Sequence, residues 1–492
     1  MAAPSAPTGP PRLTHPGREH HPGRARGRRR RRTTGDRLRL APEDRREPVV
    51  SKAESRPDAV IIGGGFAGVT AARELTMRGR RAVLVESRDR LGGRTFTNDH
   101  DGHAMEFGGT WVHPLQPNVW AEIQRYGVET EPLPVVEGLR QAVVSGGRVV
   151  DLSDEDVARA MELLNQFCSP GAELFPEPYT EAWGPDPQGI GDRSFREQLE
   201  TVKADPVLYD WLESMCCAVA LGPLDKSAVT EYLRTYALSG WSAEQASAAL
   251  TATKLVKGTR ELIDGIAGQA TLTDFRLNSH VTRVVQSDGE VRVELAGGDT
   301  ITAPTAVIAL PMNVLNSVEF EPRLSDTKRR AADERHAGAG RKSIIKVKGD
   351  IGNVSVLAPE AYAVNWVVTY AKGGPEGTWV VAFSSNPDRL PMTAFDDTAG
   401  MQEALQPLLP GVEVESIVGW DWSNDPLSLG TWCIYRPGQL ASILPDLRTT
   451  EGRLFFAGAD SAIGWRSFID GAIQSGYHAA RHVDDYLNTG SQ

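Results

Sequence analysis

Ala59-Val60-Ile61-Ile62-Gly63-Gly64-Gly65-Phe66-Ala67-Gly68 is the stretch on which the fold turns. Four apolar residues read as a buried strand, the glycines as a turn, and Phe66-Ala67-Gly68 as the first turn of a helix. Gly63 permits a tight turn off the strand, Gly65 lets the backbone approach a pyrophosphate, and Gly68 lets helix and strand pack closely. The helix aims its free N–H groups and the positive end of its dipole at phosphates. A second strand, Ala82-Val83-Leu84-Val85, ends on Glu86. A carboxylate at that distance from the glycines suits ribose hydroxyls and disfavours a 2′-phosphate.

This opening is answered near the other end of the chain. Leu454-Phe455-Phe456-Ala457-Gly458-Ala459-Asp460 is another strand followed by glycine, with Gly471-Ala472 a little further on. One glycine motif says dinucleotide; two, at opposite ends of the chain, say flavin. Between them the strand and helix signals come in pieces. Residues 57–115 read as a βαβ unit plus the loop carrying Gly92-Gly93-Arg94. Asp151–Phe167 has apolar residues at helical spacing behind Ser153 and Asp154, and residues 116–250 read as mostly helical. Pro and Gly crowd 169–191, a long surface loop. Glu197–Leu221 and Ser227–Tyr236 read as helices again. Asp288-Gly289 between two alternating runs marks a hairpin. Ser343–Val347, Trp366–Tyr370 and Thr378–Phe383 read as strands of a mixed sheet, Asp397–Leu405 as a short helix and 470–487 as a final one.

These pieces define an α/β protein with a discontinuous, Rossmann-like FAD-binding domain (57–115, 255–320 and 440–487). A substrate domain of mixed sheet and helices is assembled from the insertions 116–254 and 321–439. At 492 residues the chain exceeds what one ordinary core holds.

The net charge of −11 hides an asymmetry. Residues 1–56 carry 15 Lys and Arg against 6 Asp and Glu, a surplus of +9, leaving −20 on the rest. That first segment, rich in Pro, Gly and Arg, reads as a disordered basic tail. The run Arg28–Arg32 within it offers a nucleic-acid patch, but the acidic body repels nucleic acid and attracts cations. No apolar stretch follows the arginines as a signal peptide requires, and no apolar run is long enough to span a bilayer. Neither export nor a membrane span is therefore expected. Cys168, Cys216, Cys217 and Cys433 show no metal-binding spacing and read as free thiols in a reducing cytoplasm. No metal is expected.

The combination of the opening glycines, Glu86-Ser87-Arg88, Gly92-Gly93-Arg94, Glu106-Phe107-Gly108-Gly109-Thr110-Trp111, the Lys342 segment, Gly430-Thr431-Trp432 and Phe456-Ala457-Gly458 resembles the flavin-dependent amine oxidase family, monoamine and polyamine oxidases among them. The resemblance covers roughly residues 57–485. Around Gly109-Thr110-Trp111-Val112-His113 and Gln116-Pro117 it is closest to the bacterial enzymes acting on nicotine and pseudooxynicotine. It implies FAD as cofactor, with Arg94 on the pyrophosphate, where a guanidinium pairs with phosphate oxygens. It implies Gly108, Gly109, Thr110 and Trp111 near the flavin ring and Val281 near the adenine. Gly93, Arg88, Gly458, Asp460 and Ala472 complete the cofactor set. Lys342, in Gly338-Ala339-Gly340-Arg341-Lys342-Ser343, aligns with the lysine that holds a water beside flavin N5. Lys346 and Lys348 compete with it for that role, and strand register decides.

Trp432 and Phe468 take the positions of two aromatic rings that face each other over the flavin and hold the amine. Trp420, Trp422 and Trp465 read as core. Monoamine oxidases carry a cysteine before the first of those rings, bonded to FAD; here that residue is Thr431, so FAD is expected to be non-covalent. No arginine follows Gly108-Gly109 to clamp a carboxylate, which implies an amine without an α-carboxylate. The expected reaction is oxidation of the amine to an imine, hydrolysed to an aldehyde or ketone, with reoxidation by O2 to give H2O2. The alternatives are another electron acceptor, or a desaturase or porphyrinogen oxidase with the same opening and closing motifs. The expected partners are thus a small-molecule amine and O2 or another acceptor. Neither nucleic acid nor membrane is expected, and a homodimer is left open.

Overall fold

The computed structural model describes residues 56–132, 138–180, 183–186, 189–251, 253–374 and 377–490. Residues 1–55, almost the whole of the expected disordered tail, lie outside them. Strand β1 (Ala59–Ile62) is buried along its whole length, as expected for a strand covered on both faces of a parallel sheet. Gly63 follows with φ of +110°, a conformation that favours glycine, and helix α1 (Phe66–Met77) starts after it. A methyl group on Gly68 would stand 2.0 Å from the Gly63 carbonyl oxygen, so the helix can begin this close to the turn only without a side chain there.

Four more strands join β1: β2 (Ala82–Val85), β3 (Thr273–Arg276), β4 (Thr305–Ile308) and β5 (Leu454–Phe456). All pairings are parallel and the spatial order is β3-β2-β1-β4-β5. The two ends of the described chain thus share one sheet, and the long C-terminal helix Ile469–Thr489 packs on α1. The hairpin forms as expected, Val281–Ser287 pairing with Glu290–Leu295 across Asp288-Gly289.

A second sheet has seven strands. Its order is Val414–Gly419, Arg341–Val347, Gly377–Ser384, Trp366–Gly374, Val354–Leu357, Arg140–Ser145 and Arg148–Asp151. Helices from the 154–251 region cover the aromatic side of the site, among them α2 (Thr230–Leu238), buried along its length.

Four expectations change. Residues 116–250 are not simply helical, because Thr130–Pro132, Arg140–Ser145 and Arg148–Asp151 are strands. Arg140–Ser145 pairs in parallel with Val354–Leu357, a partner so far along the chain that local pattern does not reveal it. In the described part of 169–191 a helical turn, Gly171–Leu174, and the buried side chains of Leu174, Phe175 and Ile190 replace a plain surface loop. The helix expected over Glu197–Leu221 is two, Phe195–Leu199 and Pro206–Ala220, with Pro206 opening the second behind an Asp205 cap. Trp422 and Trp465 are buried, but Trp420 is 38% exposed, resting its ring edge on Phe96 and donating its indole N–H to Asp425.

Candidate active site

One cavity of about 440 Å³ runs from the Gly63 turn to the second sheet. At its first end lie Gly63, Gly65 and Ala67, the start of α1. No side chain caps this helix, so its first-turn N–H groups are left for a ligand. Glu86 lines the same end, its carboxylate accepting from the N–H of Gly64 (2.6 Å) and of Arg88 (2.8 Å), which fixes its orientation. Val281 and Gly93 are on the wall beside it, and Gly458 and Ala472 on the wall contributed by the C-terminal segment.

Arg94 lines the cavity with its guanidinium pinned from behind. It donates to the Thr431 carbonyl (2.9 Å) and to Asp460 (2.5 Å), whose second oxygen accepts from the Met312 N–H (2.9 Å). Burial pushes the Asp460 carboxyl up, and the Arg94 charge, the nearby His336 and the hydrogen bonds from Met312 and Arg94 together outweigh it and hold that carboxyl below its ordinary range. Asp460 and Gly68 do not form part of this cavity wall. Asp460 positions Arg94, and Gly68 lets α1 close on its strand. Arg88 borders the cavity, with its guanidinium paired in bidentate fashion to Asp425 (3.0 and 3.1 Å).

Depth along the strand separates the three lysines. Lys342 pairs opposite Phe383 and is buried, whereas Lys346 reaches Asp101 and Glu415 at the rim and Lys348 lies beyond the strand on Glu413. The Lys342 Nζ donates to the carbonyls of Glu106 (2.7 Å) and Gly108 (2.9 Å) and to the Thr110 hydroxyl. Burial pulls its ammonium far below the ordinary lysine value, to about 7, while the buried Glu106 carboxylate favours the charge. Three acceptors match the three N–H bonds of an ammonium, so holding a water requires the amine to become neutral or to release one of them. Its Nζ also stands 5.3 Å from the centre of the Trp111 ring.

The far end of the cavity is aromatic. Trp366 and Phe383 stack (5.1 Å, 15°), Trp111 lies 5.7 Å from Phe383, and Trp432 approaches Phe383 edge-on at 6.3 Å. The Trp432 indole N–H is fixed on the Val219 carbonyl (2.9 Å). Phe468, on the same cavity, packs edge-on against buried Trp465 at 5.3 Å. Gly109 backs onto Thr95. Trp366, Phe383 and the ion pair Glu231–Arg466 also line the cavity, and no motif in the sequence singles them out. The first two lie on strands legible as apolar runs; the pairing of Glu231 with Arg466 leaves no local trace.

An uncapped helix start, a carboxylate at a strand end and a partly buried arginine fit a dinucleotide, and they open into an apolar chamber with a buried lysine. That is the arrangement of a protein that binds a dinucleotide beside a chamber for a small, largely apolar ligand. The family model for flavin containing amine oxidoreductases matches residues 66–484, and the chain belongs to that family, with FAD as its cofactor. It is 38% identical to pseudooxynicotine dehydrogenase of a Pseudomonas species over 459 residues, 91% of this chain and 90% of that one. It is 34% identical to nicotine dehydrogenase of Pseudomonas putida (88% and 89% covered) and 27% identical to (S)-6-hydroxynicotine oxidase of Paenarthrobacter nicotinovorans (85% and 97%). Among solved structures, putrescine oxidase bound to putrescine shares the fold at a TM-score of 0.72 and 20% identity, covering 87% of this chain and 99% of that one. Cyclohexylamine oxidase of Brevibacterium oxydans does so at 0.73 and 18%, covering 88% and 100%. Among the described residues no helix is long and apolar enough to cross a membrane, and no three His, Cys, Asp or Glu residues cluster to hold a metal.

Proposed function

We propose that this amine oxidoreductase oxidises a secondary amine carried on an aromatic or heteroaromatic group, converting it to an imine that water hydrolyses to a carbonyl compound and a smaller amine. The observation that carries the reading is the continuity of one cavity from the uncapped start of α1 to the aromatic chamber holding Lys342, Trp432 and Phe468. Bound FAD supplies the two-electron acceptance. The chain supplies orientation and dryness: Trp432 and Phe468 flank the amine nitrogen, the Trp366–Phe383 stack takes the aromatic group, and Lys342 governs a proton and a water beside the reacting carbon. FAD is held without a covalent bond, because the residue before Trp432 is Thr431, which has no thiol to attach.

The strands β1 to β5 and their helices form the cofactor domain, and the seven-stranded sheet with the 154–251 helices forms the substrate domain. Cytoplasmic free thiols and dioxygen as acceptor, giving H2O2, complete the reading. The names of the two Pseudomonas relatives favour a second reading of the acceptor, in which something other than dioxygen takes the electrons.

Anaerobic mixing of the purified protein with primary, secondary and cyclic amines, pseudooxynicotine and nicotine included, tests both. Rapid bleaching of the oxidised-flavin absorbance by secondary amines is the expected result. Admitting air then separates the acceptors: colour returning within seconds with H2O2 means dioxygen, and a lasting bleach means another acceptor. A yellow protein that no amine bleaches sinks the amine reading and returns the desaturase-like alternative.

A further inference from the structure

The segment that ends at Phe468 is held from outside the cofactor side. Ser467 has φ of +76°, a left-handed conformation that costs a non-glycine residue about 1 kcal/mol or more and persists only where its surroundings enforce it. Hydrogen bonds on both sides enforce it. The Ser467 N–H donates to the Ala459 carbonyl (3.0 Å) and its hydroxyl to the Cys433 carbonyl, joining the residue before Phe468 to the residue after Trp432. Buried Arg466 donates through Nε (3.0 Å) and Nη2 (2.8 Å) to the two oxygens of Glu231 on α2. One turn along α2, Arg234 donates to the carbonyls of Gly464 (3.1 Å) and Pro178 (2.6 Å).

The electrostatics make Glu231 the hinge of this arrangement. Arg234, Arg466 and Arg448 lie close enough for Arg234 to feel both other charges, and Glu231 is the carboxylate among them that offsets the repulsion. The Nη1 of Arg466 has no hydrogen-bond partner among the described residues, and the guanidinium lies 5.3 Å from the centre of the Tyr435 ring. A buried ion pair is a weak stabiliser, since desolvation consumes most of the attraction; its removal from one side leaves a bare charge and forces the surroundings to move. Here what would move is the turn between Trp432 and Phe468.

We propose that Glu231 is a positioning residue for the aromatic pair. Through Arg466 it fixes the Ser467 turn, and through Ser467 it ties Phe468 to Trp432, so that α2, on the substrate side, sets how the amine is held. This rests on the reading that Trp432 and Phe468 flank the amine. Glu231 itself lines the cavity, so contact with substrate is the competing explanation. Both its oxygens are already engaged by Arg466, which favours the indirect role.

The test is a cycle of wild type, Glu231→Gln, Phe468→Ala and the double variant, with pseudooxynicotine as the probe amine. Apparent Kd and limiting rate come from anaerobic bleaching, with FAD content and Tm measured in parallel. Glu231→Gln is expected to weaken amine binding about tenfold with FAD content intact; after Phe468→Ala the same change should matter by less than about twofold, the tolerance for independent sites. A tenfold loss that survives in the Phe468→Ala background means direct contact and overturns the proposal. A lowered Tm with amine binding unchanged means a merely structural role and overturns it too. Should Glu231→Gln fail to accumulate as yellow protein, Glu231→Asp takes its place: it keeps the charge but falls short of Arg466, so a smaller loss of the same sign is expected, and no loss overturns the proposal. A wild type that no amine bleaches overturns the amine reading, and this proposal with it; a wild type that bleaches while the cycle fails overturns this proposal alone.

Discussion

Lys342 carries the sharpest pH prediction. Its value of about 7 means a charged side chain below neutrality and a neutral one above it, whereas an ordinary lysine stays charged into the alkaline range. A positive charge in the chamber opposes the positive charge that develops as an amine loses hydride, and the ammonium also keeps all its N–H bonds on Glu106, Gly108 and Thr110. The limiting rate of anaerobic bleaching is therefore expected to rise through a step near pH 7, and Lys342→Met is expected to be slower and to lack that step. Because Lys342 and Glu106 share the buried site, the step belongs to the pair. A profile that keeps the same step in Lys342→Met ties it to the substrate and removes Lys342 from the role. The lysine is legible in the sequence because two glycines and an apolar strand bracket it. Deciding between it and Lys346 needs the structure, since both fall on one face of the strand and depth alone tells them apart.

The turn from β1 into α1 is legible almost to the residue, because each glycine answers a steric demand that a sequence states locally. Gly68→Ala tests the demand: its new methyl would stand 2.0 Å from the Gly63 oxygen and must push the helix off its strand. Overpacking of this kind costs roughly 1–3 kcal/mol, and the shifted helix start should also weaken FAD, so both a lower urea midpoint and a lower FAD content are expected. A variant with wild-type values of both would mean that α1 does not depend on that contact. As a control, Ser153 closes a capping box at the start of the helix Asp154–Cys168, which lies outside the parallel sheet. Ser153→Ala should cost about 1 kcal/mol in urea unfolding, with FAD content unchanged. The strand Arg140–Ser145 is not legible: its Arg-Gln-Ala-Val-Val-Ser neither alternates cleanly nor names its partner, which is Val354–Leu357, far along the chain. The exposed Trp420 escapes the sequence for a related reason, since an indole so close to another tryptophan looks like core until Arg88 and Asp425 are seen to hold it at the surface.

The cofactor cavity is a seam between parts of the chain that share no local sequence. Gly63, Arg94, Val281, Lys342, Trp432 and Phe468 reach it from separate segments, and the aromatic chamber draws on the second sheet and on the helices above it. Motifs reveal which residues belong to the seam, while the packing that joins them, Glu231 on Arg466 or Trp366 on Phe383, is a property of the assembled molecule and leaves no spacing to read. A ligand that fills such a seam without a covalent bond must stabilise the folded chain by mass action: at a free concentration about 100 times its Kd, FAD contributes about 2.7 kcal/mol. Protein stripped of flavin is thus expected to melt at a lower temperature that climbs with the logarithm of added FAD. Amine-inert analogues that fill only the aromatic chamber should shift the midpoint further once FAD is present. Acid precipitation of the loaded protein should leave the yellow colour in the supernatant. A midpoint indifferent to added FAD would show that the stripped chain does not rebind the flavin, while colour that stays with the pellet would show a covalent attachment, which Thr431 cannot provide and which would have to be sought on another residue of the cavity wall.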